Sequence, residues 1–478
     1  MRMIVMFMRE ITLQPEWSHH DVLAVASRWP ADDPLAILHS GGSEGPWTRW
    51  SVLAKPRGHL QIFAHGWSWD GPEWPALEQA LQQIDRQDPL AIIDAAVAAD
   101  RQHAGSMGCP LPFTGGWLAS LRYELGEHIE PAARRTDKVD DGPLADLLWC
   151  PDAIVHDTRN REWWQIGEVS LPPASERREH GLQLEDWRSS PDRQGFEEAV
   201  ARTIDLIRQG DLFQANIARQ LSTQCRGDLR GFAMDALSRS GAWFGCWLEL
   251  PGRENDRAIL GLSPELFLDF DADSGRLRSR PIKGTSSARE QATDLARSAK
   301  DAAELNMIVD LMRNDLGRVC RIGTIEVSQR RTVESHPTVH HGVAEVSGEL
   351  DDGQSIGDLL RATFPPGSVT GAPKIRAMQV INELESQPRG DYCGAVGCLS
   401  SNGHLRFGVS IRTASFNGRA EQGYRDVQGT LRYGTGCGIV ADSRPQDEYR
   451  ESELKAEALL RLSTAAHSEQ IIGLDAKT

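Results

Sequence analysis

No two of the eight cysteines stand in a CxxC spacing, so nothing reads as a paired-thiol motif, and a reduced, cytoplasmic setting is expected. No stretch approaches the roughly 20 apolar residues needed to span a bilayer, so no transmembrane helix is expected. The apolar opening Met1–Met8 is broken at once by Arg9 and Glu10; it is too short for a signal peptide and is expected to form a strand. A basic stripe is missing as well. The chain carries 68 Asp and Glu against 52 Lys and Arg, a net charge of −16 with the acids dispersed, which argues against nucleic-acid and membrane partners. Neither GxGxxG nor a terminal GK[ST] is present, which excludes the dinucleotide and P-loop fingerprints. Internal repeats and low-complexity tracts are absent too.

What remains is an ordinary globular mixture, 40% hydrophobic and 25% charged over 478 residues. That length suits about three domains or two large ones. Tryptophan marks a change along the chain: 12 of 14 fall between Trp17 and Trp187, and only Trp243 and Trp247 follow. The polar, proline-containing stretch Pro172–Arg193 has a linker's composition, so domains are expected at 1–185 and 186–468. Leu35–Leu38 and His59–Ala64 predict strands in the first, with turns at Gly41-Gly42 and Gly115-Gly116. In the second, Phe196, Val200, Ile204 and Ile207 recur with a helical period, and Gly210-Asp211 ends that helix before an extended Leu212–Leu221. Further strands are expected at Ala258–Leu262, Leu266–Phe270, Cys393–Leu399 and Phe407–Arg412. Helices are expected at Asp294–Leu316, Ser355–Ala362, Ala372–Leu384 and Gln446–Leu462. Helices and strands are interspersed without short βαβ units, so a large mixed sheet core of the α+β class is expected.

The residues that carry chemistry cluster late in the chain. Pro281-Ile282-Lys283-Gly284-Thr285 sets a candidate amine nucleophile beside glycine. Asp301 and Glu304 share a helix face, as do Glu448, Glu451 and Lys455. Four carboxylates from two helices suit a hard divalent cation such as Mg²⁺, which takes oxygen ligands and keeps waters; solvated acids laced with Arg450 and Lys455 are the competing reading. Gly434-Thr435-Gly436-Cys437-Gly438 reads either as an anion-binding nest or as a tight structural turn. Gly367–Lys374 is another glycine-rich turn, placing Thr370 and Gly371 where a helix N-terminus positions a substrate. Glu265, closing Ser263-Pro264-Glu265, is a candidate general acid. His341 is a second proton-donor candidate or a structural histidine, and Arg412 a candidate carboxylate clamp.

Taken in order, these stretches resemble the chorismate-utilising enzymes over most of Phe196–Leu462. The resemblance is carried by Ile207–Gln214, Ser263–Glu265, Pro281–Thr285, Glu304–Leu316, Phe364–Met378 and Gly436–Lys455. It implies that family's fold, large antiparallel sheets packed as a sandwich and flanked by helices, and chorismate as substrate. Within the family it runs to the aminodeoxychorismate synthase component I branch, since anthranilate-forming members normally have alanine where Lys283 stands. It further implies Mg²⁺ on Glu304 and Glu451, with Asp301 and Glu448 in support. Arg412, Tyr433, Lys455, Thr285, Thr370, Gly371 and the amides around Gly436 and Gly438 would hold substrate. Gln214 stands where isochorismate and salicylate synthases carry a water-activating lysine, which favours ammonia as the nucleophile.

Lys283 is then expected to form a covalent adduct while Glu265 or His341 supplies a proton, yielding 4-amino-4-deoxychorismate for the folate branch. The chain has no nucleophile elbow and no added domain of glutaminase size, so a separate glutamine amidotransferase subunit is the expected partner. One departure from the family is Gly342-Val343-Ala344, where Leu-Val-Ser is common. The first domain also resembles the family at His39-Ser40-Gly41 and Pro112–Trp117, a region that in relatives can bind tryptophan; Ser40 is the candidate contact there. The alternatives are an anthranilate synthase component I and a non-catalytic chorismate-binding regulatory subunit.

Overall fold

The computed structural model describes residues 9–42, 45–101, 110–134, 142–169, 181–287, 292–335 and 339–472. The expected opening strand Met1–Met8 and part of the expected linker lie outside these residues. Among the described residues the strands form two large antiparallel sheets, one of 13 strands and one of 11. Both are built from strands on either side of residue 185. In the first sheet Ala36–His39 pairs with Phe244–Leu250, placing His39 opposite Gly245. In the second, Gly116–Leu121 pairs with Ala395–Ser400, placing Leu121 opposite Ala395. The boundary expected near residue 185 is therefore a change of composition along the chain, and both sheets run across it.

The sheets pack face to face as a sandwich. Val52, Val155, Leu248 and Ile259 from the first sheet meet Leu118, Leu148 and Val396 from the second in one buried cluster. A larger core joins both sheets to helices; Phe196, Leu305, Leu359 and Ile381 are helical members, and Ile217 and Phe407 come from the sheets. Burying one such side chain fully contributes about 1.5–3 kcal/mol, so this core is the principal source of stability. The outer face of the first sheet is covered by other helices through Val25, Leu237 and Leu459.

The helices that frame the site begin at polar caps. The expected helix Asp294–Leu316 is two, Ala292–Arg297 and Ala299–Gly317, because Ser298 turns out of the helix and its side chain accepts from the Asp301 N–H as an N-cap. Ser355 caps Ile356–Thr363 in a capping box with Asp358. The helix expected at Ala372–Leu384 begins at Lys374, after Pro373. The last helix, Pro445–Ile472, runs further than expected. The linker composition of Pro172–Arg193 conceals the short strands Leu182–Leu184 and Arg188–Ser190, which pair with Gln214–Gly227. No described helix is long and apolar enough to cross a membrane.

Candidate active site

A cleft of about 510 Å³ opens beside the strands Gln214–Gly227 and Asp426–Ile439 and between the helices Ala299–Gly317 and Pro445–Ile472. It gathers Lys283, Glu265, His341, Glu304, Glu451, Asp301, Glu448, Arg412, Tyr433, Gly436, Gly438 and Lys455. Residues up to 239 apart in sequence, Asn216 and Lys455, thus share one wall system, brought there by strand pairing and helix packing.

Lys283 owes its direction to a β-bulge. Ile282 pairs with Val343 and Thr285 with His341, so Lys283 and Gly284 together face the single residue Gly342. Gly284 takes up the irregularity at φ +80°, a conformation open to glycine, and a bulge of this kind re-aims the neighbouring side chain. The Lys283 ammonium or amine donates to the carbonyl of Ser368 at 2.9 Å. Burial draws its pKa below the ordinary lysine value, although Glu304 and Glu265 pull the other way. A lysine so placed is closer to the neutral, nucleophilic form than one in water.

Glu265 is 3% exposed and follows the strand Asp256–Ser263. Burial pushes its pKa up to about 7, against hydrogen bonds from Ser368 and Ile282 and the charge of Lys283. The Ile282 N–H donates to Oε1 at 3.3 Å. A carboxyl with a pKa near neutrality is suited to give up and recover a proton. His341, also buried, lines the same cleft from the strand Val339–Glu349.

The far wall is cationic. Arg412 does not close a strand as expected; Leu405–Val409 ends earlier, and Arg412 sits in a loop at φ +52°. Burial lowers its pKa, with Tyr433 opposing. The Tyr433 hydroxyl donates to the Lys455 carbonyl at 3.2 Å. Lys455 Nζ donates to the Gly436 carbonyl at 2.9 Å and pairs with Glu451 at 2.8 Å.

Gly434–Gly438 is neither nest nor turn. It continues the strand Asp426–Ile439, with Gly434, Gly436 and Gly438 opposite Gln220, Ala218 and Asn216, and none of the three has a positive φ. A nest needs alternating backbone handedness, which a paired strand lacks. Pairing with Thr413–Glu421 stops at Tyr433 while pairing with Gln214–Gly227 runs to Ile439, so one edge of the glycine segment is left to the cleft. The Gly436 carbonyl that meets Lys455 lies on that edge, and the N–H of the same residue points the same way. The segment thus leaves an unpaired strand edge at the cleft.

Two expected substrate contacts do not line the cleft. The Thr370 hydroxyl is fully buried and donates back to Pro366 and Gly367 at 3.1 and 3.2 Å. Gly371 pairs with Ala215, and a Cβ there would lie 2.1 Å from the Gln214 carbonyl, so its glycine serves close strand packing. Their neighbours Ser368 and Val369 reach the cleft instead. Thr285 lies on the Lys283 strand opposite His341. Asn216, Tyr392 and Ile411 also line the cleft without having been singled out. Asn216 was reachable from the sequence, since it sits two residues from Gln214 on a stretch read as extended, and alternate strand residues share a face.

For a cation, the donor chemistry fits. Glu304 and Asp301 come from one helix and Glu448 and Glu451 from another, all lining the cleft. Donor atoms of Glu448, Glu451 and Cys437 lie within 4.8 Å of one another. Carboxylates are the ligands a hard ion prefers; the buried thiol of Cys437 is not such a ligand.

Ser40 belongs to a different cavity, of about 60 Å³, lined also by Phe113, Trp243 and Val396. Its hydroxyl donates to the Trp50 carbonyl at 2.6 Å and its N–H to Ser51 Oγ at 3.1 Å. A cavity of roughly 150 Å³ is known to hold benzene, so this one is too small for an indole ring as it stands.

The chorismate binding enzyme family matches residues 43–461. The chain is 33% identical to aminodeoxychorismate synthase component 1 of Escherichia coli (strain K12), covering 89% of this chain and 92% of that one. It is 38% identical to anthranilate synthase component 1 of Synechocystis sp., covering 94% and 98%. The crystal structure of anthranilate synthase component I from Streptococcus pneumoniae superposes with a TM-score of 0.71 at 27% identity, covering 87% of this chain and 93% of that one.

Proposed function

Because the chain belongs to the chorismate binding enzymes, we propose that it is the synthase component of an aminodeoxychorismate synthase, converting chorismate and ammonia to 4-amino-4-deoxychorismate for 4-aminobenzoate and folate synthesis. The observation that carries this reading is Lys283, a half-buried lysine on a bulge that turns it into the cleft beside a carboxyl of near-neutral pKa. In this reading neutral Lys283 Nζ bonds to ring carbon 2 of chorismate, the two conjugated ring double bonds each shift by one position, and the bond from carbon 4 to its hydroxyl breaks. Glu265 supplies the proton with which the hydroxyl leaves as water. Ammonia then adds at carbon 4, the bond from carbon 2 to Lys283 breaks, and a proton returns to the carboxylate. Two displacements put nitrogen on the carbon that lost oxygen, an outcome direct attack at carbon 2 would not give.

Arg412, Lys455 and the open backbone edge at Gly436 would hold the substrate's carboxylates. Glu304 and Glu451, supported by Asp301 and Glu448, would hold Mg²⁺, which when bound neutralises the ring carboxylate. The relatives' designation as component 1 supports a partner subunit; we assign that part to a glutamine amidotransferase that supplies the ammonia.

The Synechocystis relative supports a second reading, anthranilate synthesis from the same substrate. Lys283 weighs against it, since anthranilate-forming relatives are expected to have alanine there. Intact-mass spectrometry of the chain mixed with chorismate and Mg²⁺, without ammonia, tests the proposal. A covalent adduct that disappears in Lys283→Ala supports it, and an adduct that persists in that variant refutes the assigned nucleophile.

A further inference from the structure

Mg²⁺ takes oxygen ligands, yet a sulfur stands beside the carboxylates of the last helix. Cys437 lies on the strand Asp426–Ile439, opposite Ile217. A Cβ on its neighbour Gly438 would lie 3.3 Å from Lys283 Nζ. Successive strand residues face opposite ways, so the Cys437 side chain leaves the lysine side. It meets the first turn of the helix Pro445–Ile472, where its thiol donates to the Glu448 carbonyl at 3.2 Å. Glu448 and Glu451 stand three apart on that helix and share a face. One donor atom from each of Cys437, Glu448 and Glu451 lies within 4.8 Å of the other two.

Around a tetrahedral zinc ion, sulfur and carboxylate ligand atoms stand roughly 3.5 Å apart. Closing the three donors to that spacing takes a movement of about 1 Å, given zinc's bond lengths. Cys437 and Glu448 are buried and hold their places, whereas the Glu451 side chain is 50% exposed and has room to swing. Its pairing with Lys455 is a partly exposed i,i+4 contact, a kind that holds weakly. Lys455 keeps the Gly436 carbonyl at 2.9 Å when Glu451 turns away. Both glutamates line the cleft, which gives an ion its approach.

The donor set decides which ion fits. Two carboxylates alone suit Mg²⁺, and adding a thiolate turns the preference toward Zn²⁺ and its heavier relative Cd²⁺, which bond sulfur strongly. Among the described residues the other group of three such donors is Asp271, Asp273 and His404. That group has no sulfur, and His404 Nδ1 already accepts from the Ala272 N–H at 3.2 Å. A metal–sulfur signal from either group therefore reports on Cys437.

We propose that Cys437, Glu448 and Glu451 form a site for a thiophilic divalent cation of the zinc class. As the metal–sulfur bond forms the S–H bond breaks, and the proton leaves to solvent. The site has a donor set of its own but shares Glu448 and Glu451 with the assigned Mg²⁺ site, so a thiophilic ion excludes Mg²⁺. That competition rests on the proposed Mg²⁺ assignment, whereas the thiolate site rests on the three donors alone.

The test is titration of the full chain with cadmium chloride, without Mg²⁺, chorismate or ammonium, followed by the ultraviolet absorption of the cadmium–thiolate bond. The wild-type chain is expected to develop this absorption to one equivalent, and added Zn²⁺ to remove it. Cys437→Ser, nearly the same in shape, is expected to lose the absorption. Its Cd²⁺ affinity by calorimetry should fall at least roughly tenfold, the loss seen when even an outer partner of a metal ligand is removed. Its Mg²⁺ affinity should stay within about twofold, since that ion does not use sulfur. Cys437→Ala is expected to behave alike and keeps the test open should the serine variant fail to fold. No absorption in the wild type, or the same absorption in the folded variants, overturns the thiolate site, as does an equal loss of Cd²⁺ and Mg²⁺ affinity. An absorption undiminished by saturating Mg²⁺ overturns the competition. With neither chorismate nor ammonium present, a failure of the proposed amination leaves all of these results unchanged.

Discussion

Replacing Glu265 with glutamine separates stability from activity at one carboxyl. Glu265 is 3% exposed, and its pKa is carried from the ordinary 4.5 up to about 7 by burial. Below pH 4.5 it is protonated whether the chain is folded or not, and burial imposes no charge. Between that pH and about 7 the folded protein holds a proton that the unfolded chain releases, so stability falls as pH rises. Above about 7 the full penalty of a buried carboxylate applies, roughly 3 kcal/mol at 1.36 kcal/mol per tenfold change in proton affinity. Glutamine has the same shape and never ionises. Glu265→Gln is therefore expected to be more stable than wild type at pH 8 by up to about 3 kcal/mol, an advantage that shrinks toward pH 5. Urea unfolding followed by tryptophan fluorescence at the two pH values measures the difference. Turnover moves the opposite way: loss of the proton donor is expected to lower kcat by roughly 10²–10⁴. A stability difference that is the same at pH 5 and pH 8 would refute the raised pKa, and undiminished turnover would refute the assigned acid.

Further outcomes follow from the same geometry. Lys283→Ala is expected to lose the covalent adduct in intact-mass spectra while chorismate binding by calorimetry is largely retained, because in the proposed reading the substrate's carboxylates would be held on the opposite wall. Glu451→Gln is expected to weaken Mg²⁺ and chorismate binding together; an unchanged metal affinity by titration contradicts the ligand assignment. In Gly438→Ala the new methyl meets Gln214 Nε2, the movable end of a side chain, at 2.2 Å. Stability should change by less than about 1 kcal/mol, while ammonia-dependent turnover drops at least roughly tenfold as Gln214 is displaced beside Lys283. Phe407→Ala acts in the opposite sense, removing a fully buried ring from the core at a cost of about 3–5 kcal/mol in thermal or urea unfolding.

Much of the site was legible in the sequence because its chemistry is carried by short segments. The carboxylates of Ala299–Gly317 and Pro445–Ile472 follow helical spacing, which survives without tertiary information. Glu265 and Lys283 sit in local stretches whose residue types alone suggested proton transfer and nucleophilic attack. What the sequence concealed is mostly long-range. Gly434–Gly438 reads locally as a turn because glycine is the usual turn residue, yet thirteen residues of strand pairing between Val427–Ile439 and Ala215–Gly227 hold it straight. The tryptophan-rich first part reads as a separate domain, although its strands complete both sheets by pairing with residues more than 200 positions away. Thr370 was expected to meet substrate from a glycine-rich turn, but its hydroxyl turns inward to satisfy that turn's own carbonyls. Arg412 was expected at a strand end, and the left-handed backbone that places it in the cleft has no signal in residue type.

The most direct measurement is product analysis after mixing the purified chain with chorismate, Mg²⁺ and ammonium at mildly alkaline pH. A non-aromatic amine that retains the pyruvyl group is the result expected of Lys283 as nucleophile. Anthranilate together with free pyruvate would contradict it and make the anthranilate-forming reading the correct one.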